Sequence, residues 1–479
     1  MAGTRRMDKC RIRIPREGAM KVDATIYATD DIKIEPDAVG QLRDAASMPS
    51  VEVALATPDI HVGYGVPIGC VMATREVVSP AAVGYDINCG MRLLTTPMAA
   101  ADVDMKAVAQ SVRRDVPLGE GKSNLRLRRE QFEEVIERGV PALAELEQGL
   151  GRYGAIRRGE DEQADLPAIE DGGSEPGVAS TVSEKAIGRG LSQLGTLGGG
   201  NHFVELQVVY RVDDQAAGKR LGVRPGQFVV MIHTGSRGFG HQIAGDYMKI
   251  GAKLHGAEAP SRALPLLRAD EPEGKRYLGA MFAEANFAFS NRQVITAYVR
   301  HSLRSEYGKD LELPLVYDIT HNMVKHEEHG GKMLWVHRKG ATRAFGPERM
   351  SGTPYADIGQ PVLIPGSMGT ASYLLLAGPK AADTLWSVNH GAGRVMSRTA
   401  AAGGRRGRSR RGGGRGGLIS HEAMREAMGD VFLIAEDMRS VVEEAPQAYK
   451  DIDAVIECLV GAGVAHVVAR MRPRAVLKG

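Results

Sequence analysis

Short apolar runs separated by glycine and proline dominate residues 51–95. In VEVALATPDIHVGYGVPIGCVMAT these runs predict β-strands joined by tight turns. Two later runs, GQFVVMIHTG at 226–235 and LPLVYDITHN at 313–322, have the pattern of buried strands. His233 lies near the end of the first run and His321 near the end of the second. Because a sheet fixes the position of a side chain at a strand end, both histidines are suited to a site that needs a constant geometry.

Helical periodicity appears in two other regions. Densely charged residues at 105–150, as in NLRLRREQFEEVIERGVPALAELEQGL, predict a helical insertion. The acidic, glycine-rich stretch that follows, RRGEDEQADLPAIEDGGSEPG, is typical of a mobile loop. A long helix is predicted at 277–308. On it, Asn286, Asn291 and Arg292 either face a site or are polar groups on a solvent face or near a cap.

The composition is that of an ordinary globular protein, with 43% hydrophobic and 25% charged residues among 479. The formal charge is only +3, so any nucleic-acid binding requires a local patch of charge and not a global field. The 4 cysteines show no disulfide spacing, the first residues lack the apolar core of a signal peptide, and no stretch approaches a membrane span. We therefore expect a cytoplasmic protein with free thiols and no membrane association.

Arginine and glycine accumulate late in the chain. The string RVMSRTAAAGGRRGRSRRGGGRGG, from Arg394 to Gly417, contains eight arginines and no acidic residue. Such composition is a poor candidate for a packed core and predicts a Gly/Arg-rich flexible loop at 400–417. The loop either follows a phosphate backbone and stacks on bases, or is a solvated segment with no specific role.

The string GYDINCG at 84–90 has the spacing of a metal site, because it sets Asp86 and Cys89 three residues apart between glycines. A divalent cation and nearby imidazoles favour the thiolate of Cys89, and Asp86 offers an oxygen to a hard metal such as Mn or Mg. Taken singly, such a cysteine is more often a small buried hydrophobe. Histidines in unusual local strings follow at His202, His233, His321 and His390. One site would then draw on both halves of the chain, which favours a single large catalytic domain over 1–479.

These strings identify a resemblance to the RtcB family of RNA-splicing ligases. The similarity covers nearly the whole chain, in the family's order. The strings that carry it are PDIHVGYGVPIG (58–69), SPAAVGYDINCGMRLL (79–94), QLGTLGGGNHFVEL (193–206), HTGSRGFGH (233–241), HNMVKHEEH (321–329), VHRKGATRAF (336–345), PGSMGTASY (365–373), NHGAGRVMSR (389–398), PQAYKDID (446–453) and the terminal VLKG. Two departures are Cys70, where the family often has glycine, and the arginine-rich composition of 400–417.

The resemblance implies an α/β fold: one large domain of mixed sheets with surrounding helices and a helical insertion. It also implies a ligase that joins an RNA 3′-phosphate or 2′,3′-cyclic phosphate end to a 5′-hydroxyl end in tRNA splicing or RNA repair. GTP and two Mn²⁺ ions would be its cofactors, and a histidine-guanylate followed by an RNA-ppG species its intermediates. Implied partners are RNA, such as tRNA, and an archease-like activator, and the implied state is a monomer.

The resemblance also assigns residues. It implies that His390 is the guanylylated nucleophile and that Cys89 is shared between two metals. The implied metal ligands are Asp86, Cys89, His202, His233 and His321. Implied contacts to the guanylate are Asn201, Glu205, Ser367, Ser372, Gly391, Gly393, Tyr449 and Lys478. Arg237 and Arg398 are candidates for RNA phosphates. Residues that would orient the ligands are His61, Asn88, Asn322 and His337.

Two other functions remain open from the residues alone. A dinuclear-metal phosphoesterase would open 2′,3′-cyclic phosphates with the same ligands but would have no need of His390. A Gly/Arg-rich RNA-binding protein on a degenerate scaffold would have no need of the five candidate ligands. Each histidine taken singly could also be a core residue bonded to backbone carbonyls.

Overall fold

The computed structural model describes residues 3–403 and 417–479, which form an α/β fold of two large mixed sheets with surrounding helices. In chain order the strands are β1 (Arg5–Asp8), β2 (Arg11–Ile14), β3 (Ala24–Tyr27), β4 (Val51–His61), β5 (Ile68–Thr74), β6 (Val77–Val78), β7 (Gly90–Ala99), β8 (Phe203–Val212), β9 (Gln227–Thr234), β10 (Leu267–Arg268), β11 (Leu315–Thr320), β12 (Asn322–His329), β13 (Lys332–Lys339), β14 (Ala341–Arg343), β15 (Val362–Ile364), β16 (Ser372–Ala377), β17 (Ser387–Asn389), β18 (Phe432–Ala435) and β19 (Ala465–Lys478).

The α-helices lie around these sheets. They are α1 (Pro36–Ala45), α2 (Met105–Asp115), α3 (Arg129–Arg138), α4 (Val140–Glu145), α5 (Gly151–Ile156), α6 (Gly159–Asp165), α7 (Glu184–Gly190), α8 (Gln215–Arg220), α9 (Arg237–His255), α10 (Pro272–Tyr307), α11 (Arg398–Ala402), α12 (His421–Met428), α13 (Met438–Glu443) and α14 (Ile452–Gly461). Short 3-10 turns occur at Pro80–Ala82, Ala100–Asp102, Leu166–Ala168, Glu170–Gly173, Ala179–Thr181, Pro347–Arg349, Ala381–Thr384 and Pro446–Ala448.

The first sheet has the strand order β1-β2-β3-β4-β5-β13-β12 and is antiparallel except where β3 pairs with β4. The predicted strands at 51–95 are confirmed as β4, β5 and β7 with β6 between them. Strand β4 is the longest strand of this sheet, and Asp59 and His61 lie at its carboxyl end. That end faces the candidate site.

The second sheet has the order β11-β7-β9-β8-β19-β16-β15, and β18 pairs in parallel with β19. Gly90 at the start of β7 pairs with Thr234 at the end of β9 and with Thr320 at the end of β11. On the other side of β9, His233 pairs with Phe203 at the start of β8. These antiparallel registers bring four strand ends to one edge of the sheet.

A buried charge network fixes this edge to the long helix α10. Pro272 at the first turn and Gly308 after the last residue bound the helix, which confirms the helix predicted at 277–308. Its Arg292 and Arg92 of β7 both bond the carboxylate of Asp318 on β11, and none of the three side chains is exposed. A charge buried without a partner is costly, so this cluster couples the helix and both strands.

The prediction of a mobile loop after residue 150 is wrong. Residues 157–177 include α6 and two 3-10 turns, and Glu162, Asp165 and Glu170 are buried there. Asp165 forms a bidentate pair with Arg300 of α10, with N–O distances of 2.6 and 2.7 Å. The acids that suggested a solvated loop are therefore partners of basic residues distant in sequence. The predicted insertion at 105–150 contains α2, α3 and α4.

The predicted loop at 400–417 is described only at its ends. Residues 400–402 belong to α11, and residues 404–416 lie outside the described residues. One hydrophobic core runs from Cys10 to Leu477 and includes residues of both large sheets, so the described chain forms one large domain. No helix among the described residues is both long and apolar enough to span a membrane.

Candidate metal centre and nucleotide pocket

Five candidate ligands meet at the strand ends of the second sheet. They form two groups that share Cys89: Cys89 with His233 and His321, and Cys89 with Asp86 and His202. Within each group the possible ligand atoms lie within 4.8 Å of one another. The Sγ of Cys89 is 3.2 Å from His233 Nε2 and 3.4 Å from His202 Nε2. One thiol therefore lies between two sets of donors.

The ring nitrogens of these histidines fit a cation site. His202 Nδ1 lies 3.1 Å from the carbonyl oxygen of Leu197, and His233 Nδ1 lies 3.1 Å from that of Asn201. Donation to these carbonyls requires the proton on Nδ1, which leaves a lone pair on each Nε2. His202 Nε2 is also 2.8 Å from Asp86 Oδ2. A lone pair that faces a carboxylate and a thiol is favourable when a cation lies between them.

The third histidine adds an unpartnered nitrogen. His321 Nε2 is 3.3 Å from His233 Nε2, and its Nδ1 is buried without a hydrogen-bond partner among the described residues. Burial holds the pKa of both His233 and His321 well below the usual value. Both rings are neutral at physiological pH, the form that binds metals.

The pKa values of the two acidic ligands, Asp86 and Cys89, shift in opposite directions. Burial and the charge of Asp86 hold the pKa of the Cys89 thiol well above its usual value. Burial also opposes ionisation of Asp86, but the contact with His202, the charge of Arg237 and the hydrogen bond from Ser236 outweigh it and lower the pKa of that carboxyl. A thiolate at this position therefore needs added positive charge. The set of one carboxylate, one thiol and three imidazoles suits a divalent transition metal.

A rigid frame surrounds the ligand turn. Asn88 has a φ of 52°, in the left-handed region that its short polar side chain tolerates. Its carbonyl accepts a bond of 2.8 Å from Arg292, and its amide group bonds both Arg292 and Ala285. Asn322 donates to the carbonyl of Asp86 at 2.9 Å. The turn that carries Asp86 and Cys89 is thus fixed from two sides.

Helix α10 reaches the metal ligands through a second polar contact. The hydroxyl of Ser236 lies 3.0 Å from Asp86 Oδ1 and 2.6 Å from Glu284 Oε1. Burial raises the pKa of Glu284 well above its usual value. Glu284 Oε1 accepts bonds from the hydroxyl of Ser236 and from the amide of Ile87 at 3.1 Å, and the amide of Ser236 donates to Asp86 Oδ1 at 2.8 Å. The local sequence gave no signal for Glu284, since it lies on an apolar helix nearly two hundred residues from the ligand it orients.

His390 lies beside the metal ligands and is oriented by Asp59. Its ring centroid is 4.9 Å from that of His321, and its Nδ1 is 2.7 Å from Asp59 Oδ2. Burial alone would raise the pKa of Asp59, but bonds from His390 and Thr57 lower it below the usual value. An ionised Asp59 accepts the Nδ1 proton and leaves the Nε2 lone pair of His390 free.

The loop after His390 packs directly on Asp59. Gly393 has a φ of 75°, and a Cβ at this position would overlap the carbonyl of Asp59. Lys450 fixes the backbone on both sides of Asp59, because its amine donates to the carbonyls of Pro58 at 3.1 Å and Ile60 at 2.5 Å. The close contact with Gly393 and the two bonds from Lys450 therefore hold Asp59 in position to pair with His390. Asp59 was not singled out in the sequence.

A cavity of about 520 Å³ joins His390 to the metal ligands His233 and His321. Most of the residues that the resemblance assigns to the guanylate line this cavity: Asn201, Glu205, Ser367, Gly391, Gly393, Tyr449 and Lys478. Ser372 lies behind the wall, where its hydroxyl accepts a bond of 3.1 Å from Gln207. Gln207 also donates to Glu205 at 2.6 Å, so Ser372 acts on the cavity through two residues.

Glu205 and Lys478 place opposite charges deep in the cavity wall. Burial raises the pKa of Glu205 to about 7, although Gln207 and Lys478 act in the other direction. Burial also lowers the pKa of Lys478. Lys478 lies on β19, where it pairs with Phe203 of β8 on one side and with Ala435 of β18 on the other, in the interior of the second sheet. Its position near the end of the sequence is therefore no sign of a frayed terminus.

A buried acid organises the basic side of the cavity. Glu444 accepts bonds from Arg398 at 2.7 Å and from the hydroxyl of Tyr449, and it lies 3.2 Å from Arg394. Burial would raise the pKa of Glu444, but the charges of Arg398, Lys478 and Arg394 lower it to about 2. The candidate RNA contact Arg398 thus faces the cavity with a paired charge. No local sequence pattern indicates a role for Glu444.

The other candidate RNA contact lies next to the metal ligands. Arg237 has a φ of 59°, and its guanidinium packs against Gly198, where a Cβ would overlap it. Its Nη1 is 3.3 Å from His202 Nδ1. His61 lines the cavity, whereas His337 bonds Ser79 and Met72 and contacts no candidate ligand. Cys70 is buried in β5, also away from the ligands.

Comparison with known proteins identifies the family of this chain. The model of the family described as tRNA-splicing ligase RtcB matches residues 41–479. A tRNA-splicing ligase RtcB from Thermococcus kodakarensis is 41% identical over 100% of this chain and 99% of its own length. The protein of that name from Archaeoglobus fulgidus is 42% identical over 96% of this chain and 95% of its own. An RNA-splicing ligase RtcB from Mycobacterium bovis is 40% identical over 92% of this chain and 100% of its own.

These matches show the family of the chain. The chain belongs to the tRNA-splicing ligase RtcB family, which confirms the resemblance drawn from the sequence strings. Family membership supports an RNA ligase in tRNA splicing, and the clustered Asp, Cys and His side chains are consistent with a bound metal.

Proposed function

We propose that this protein joins RNA 3′-phosphate or 2′,3′-cyclic phosphate ends to 5′-hydroxyl ends, with GTP and two Mn²⁺ ions, through a guanylate on His390. The observation that carries the proposal is the position of His390. Asp59 bonds one nitrogen of its ring, and the ring lies in one cavity with two metal ligands and with Glu205. A nucleophile, a base-recognising carboxylate and a metal centre are what nucleotidyl transfer requires.

The first step uses the free nitrogen of His390. With Nδ1–H held by Asp59, Nε2 attacks the α-phosphorus of GTP, a P–N bond forms, and the bond to the β-phosphate oxygen breaks to release pyrophosphate. Two divalent cations at the Cys89 site would neutralise phosphate charge and polarise the reacting oxygens. Glu205 accepts the N1 and N2 protons of guanine, which adenine cannot supply in that arrangement.

The next steps transfer the guanylyl group and join the RNA. An oxygen of the RNA 3′-phosphate attacks the guanylate phosphorus, the P–N bond breaks, and His390 is released with RNA-ppG as product. The 5′-hydroxyl then attacks the phosphorus of the 3′-phosphate, GMP leaves, and the hydroxyl proton is lost. A 2′,3′-cyclic phosphate must first be hydrolysed to the 3′-phosphate. Phosphoesterase chemistry alone would explain only this opening and would leave the paired Asp59 and His390 without a role.

Labelling with GTP tests this proposal. The wild-type protein incubated with Mn²⁺ and α-labelled GTP should retain label through denaturing electrophoresis, and the label should be acid-labile and base-stable, as expected of a phosphoramidate. His390→Ala should lose the label. His466→Ala is the matched control, because His466 bonds Asp214 at 2.8 Å in a similar pair on the surface. Label on His390→Ala at wild-type stoichiometry would remove His390 as the nucleophile.

Biological context follows from the family resemblance and is part of the same proposal. We expect the reaction to act in tRNA splicing or RNA repair, in the cytoplasm, by a monomer that an archease-like protein activates. The support for these expectations is the sequence similarity. Size-exclusion chromatography with light scattering tests the monomer, and turnover number measured with and without such a protein tests the activator.

A further inference from the structure

One exposed loop at the mouth of the cavity has an unusual surface. Among the described residues only nine large hydrophobic side chains are exposed, and two of them, Val62 at 41% and Tyr64 at 45%, lie on the turn between β4 and β5. We call residues 62–66 the Tyr64 loop. Exposed apolar groups that cluster are informative, because single ones are common on any surface. His61, Val62 and Gly63 also line the cavity, so the Tyr64 loop forms part of its rim.

The Tyr64 ring begins a stack of three rings that leads to the metal centre. Its centroid lies 5.9 Å from that of Tyr85, at an interplanar angle of 44°. Tyr85 stacks on His241 with a centroid distance of 4.5 Å and an angle of 17°. Tyr85 immediately precedes the candidate ligand Asp86, and His241 lies on α9, exposed to solvent. The aromatic stack therefore extends from the ligand turn to the surface.

The Tyr64 loop is held in place by polar contacts from three residues. Gln41 of α1 donates to the carbonyl of Gly63 at 2.7 Å and accepts from its amide at 3.0 Å. Glu35 accepts from the amide of Val62 at 2.8 Å, and the buried amine of Lys339 donates to the carbonyl of Tyr64. An exposed ring on a fixed backbone is a preorganised binding surface, because little conformational freedom remains to be lost on binding.

We propose that the aromatic stack binds an unpaired nucleobase of the RNA strand whose end occupies the metal centre. This inference rests on the proposed function, because the RNA end must lie at His390 and the metal ligands. A nucleotide next to that end crosses the rim, where 45% of the Tyr64 surface is exposed. Stacking on aromatic side chains recognises every base, so the surface selects unpaired RNA near the joint without selecting its sequence.

Ligation kinetics on RNA with unpaired ends test the stack. Tyr64→Ala should raise the KM for RNA by about tenfold with little change in kcat, the range expected from loss of one stacked base. Tyr64→Phe keeps the ring and should behave as the wild type. Tyr210→Ala removes another exposed tyrosine, which lies on β8, and should also have no effect. Labelling by GTP should be unchanged in all three variants, since Tyr64 does not line the cavity.

Two further measurements make the result decisive. A 2-aminopurine next to the joint should be quenched on binding to the wild type and not to Tyr64→Ala. An abasic residue at the same place should raise the wild-type KM and remove the effect of Tyr64→Ala. An unchanged KM for Tyr64→Ala, or equal loss in Tyr64→Phe, would overturn the proposal. Loss of activation by a second protein, with unchanged RNA constants, would show a protein-docking surface and also overturn it. If the proposed function itself fails, the wild type will neither label nor ligate.

Discussion

The carboxylate of Asp59 and the ring of His390 form a bond of 2.7 Å although 331 positions separate them in the chain. Asp59 is fully buried and ionised, and its other oxygen accepts a bond from Thr57. The acid therefore selects the tautomer of His390 that leaves Nε2 free. This is a positioning role, because Asp59 acts on the phosphate only through the imidazole.

Replacement of Asp59 by asparagine should slow self-guanylylation on the order of 100-fold, the scale of general acid–base effects, because the amide neither fixes this tautomer nor stabilises the charged ring. GTP affinity should change little. Single-turnover labelling at saturating GTP measures the rate. Asp214→Asn, in the surface pair with His466, is the control. A wild-type rate in Asp59→Asn would mean that the tautomer of His390 does not depend on this bond.

Cys89→Ser should lose both metal ions, since the thiol lies in both groups of candidate ligands and a serine hydroxyl is a poor ligand at neutral pH. Its loss of ligation should exceed that of any single histidine replacement. Metal analysis after gel filtration checks the stoichiometry. Cys70→Ser replaces another buried thiol away from the site and should keep wild-type metal content. Two Mn²⁺ per chain in active Cys89→Ser would show that Cys89 does not bridge.

GTP binding should weaken as the pH falls through about 7. Burial raises the pKa of Glu205 to about 7, and only its ionised form accepts both guanine donors. Below this pH the protonated acid has lost an acceptor site, and the dissociation constant should rise about tenfold per pH unit. Calorimetric titration from pH 5.5 to 8.5 measures this. Glu205→Gln should bind more weakly with no such slope, and an identical slope in the variant would assign the titration to another group.

Asp318→Asn should lower the free energy of unfolding by about 3–5 kcal/mol, because it leaves the buried guanidiniums of Arg92 and Arg292 without their counter-charge. Urea denaturation followed by circular dichroism measures the loss. Asp357→Asn breaks an exposed pair with Arg220 and should leave the free energy of unfolding nearly unchanged. Equal effects of the two substitutions would mean that the buried cluster contributes no more than a surface pair.

Local sequence patterns predict the strands that carry the site. They do not predict the contacts between those strands. The apolar runs alone predict β9, whose last residues include His233, and β11, which His321 follows directly, because a buried strand is apolar in its own sequence. No local pattern indicates Asp59, the partner of His390, because an acid near the end of a strand is common and only the fold places it beside the histidine. Lys478 was assigned through the family resemblance, as no local pattern distinguishes an interior last strand from a loose end.

Composition does not predict the structure of a segment whose charged residues pair with residues far away in the sequence. The stretch 157–177 has the acids and glycines of a loop, yet Arg300, Arg304 and Lys325 pair with its carboxylates and bury several of them. All three basic residues follow it by more than a hundred positions. A sequence window around these acids contains none of the three basic residues. A prediction made from that window therefore treats the carboxylates as unpaired and exposed.

The position of β19 has a consequence for how the chain is made. Strands β8 and β16 meet only through β19, which is synthesised more than eighty residues after β16. During translation the nascent chain therefore carries two sheet fragments with unpaired edges, and pairings of such long sequence separation form slowly. Chaperone protection should matter most in the interval before β19 emerges from the ribosome.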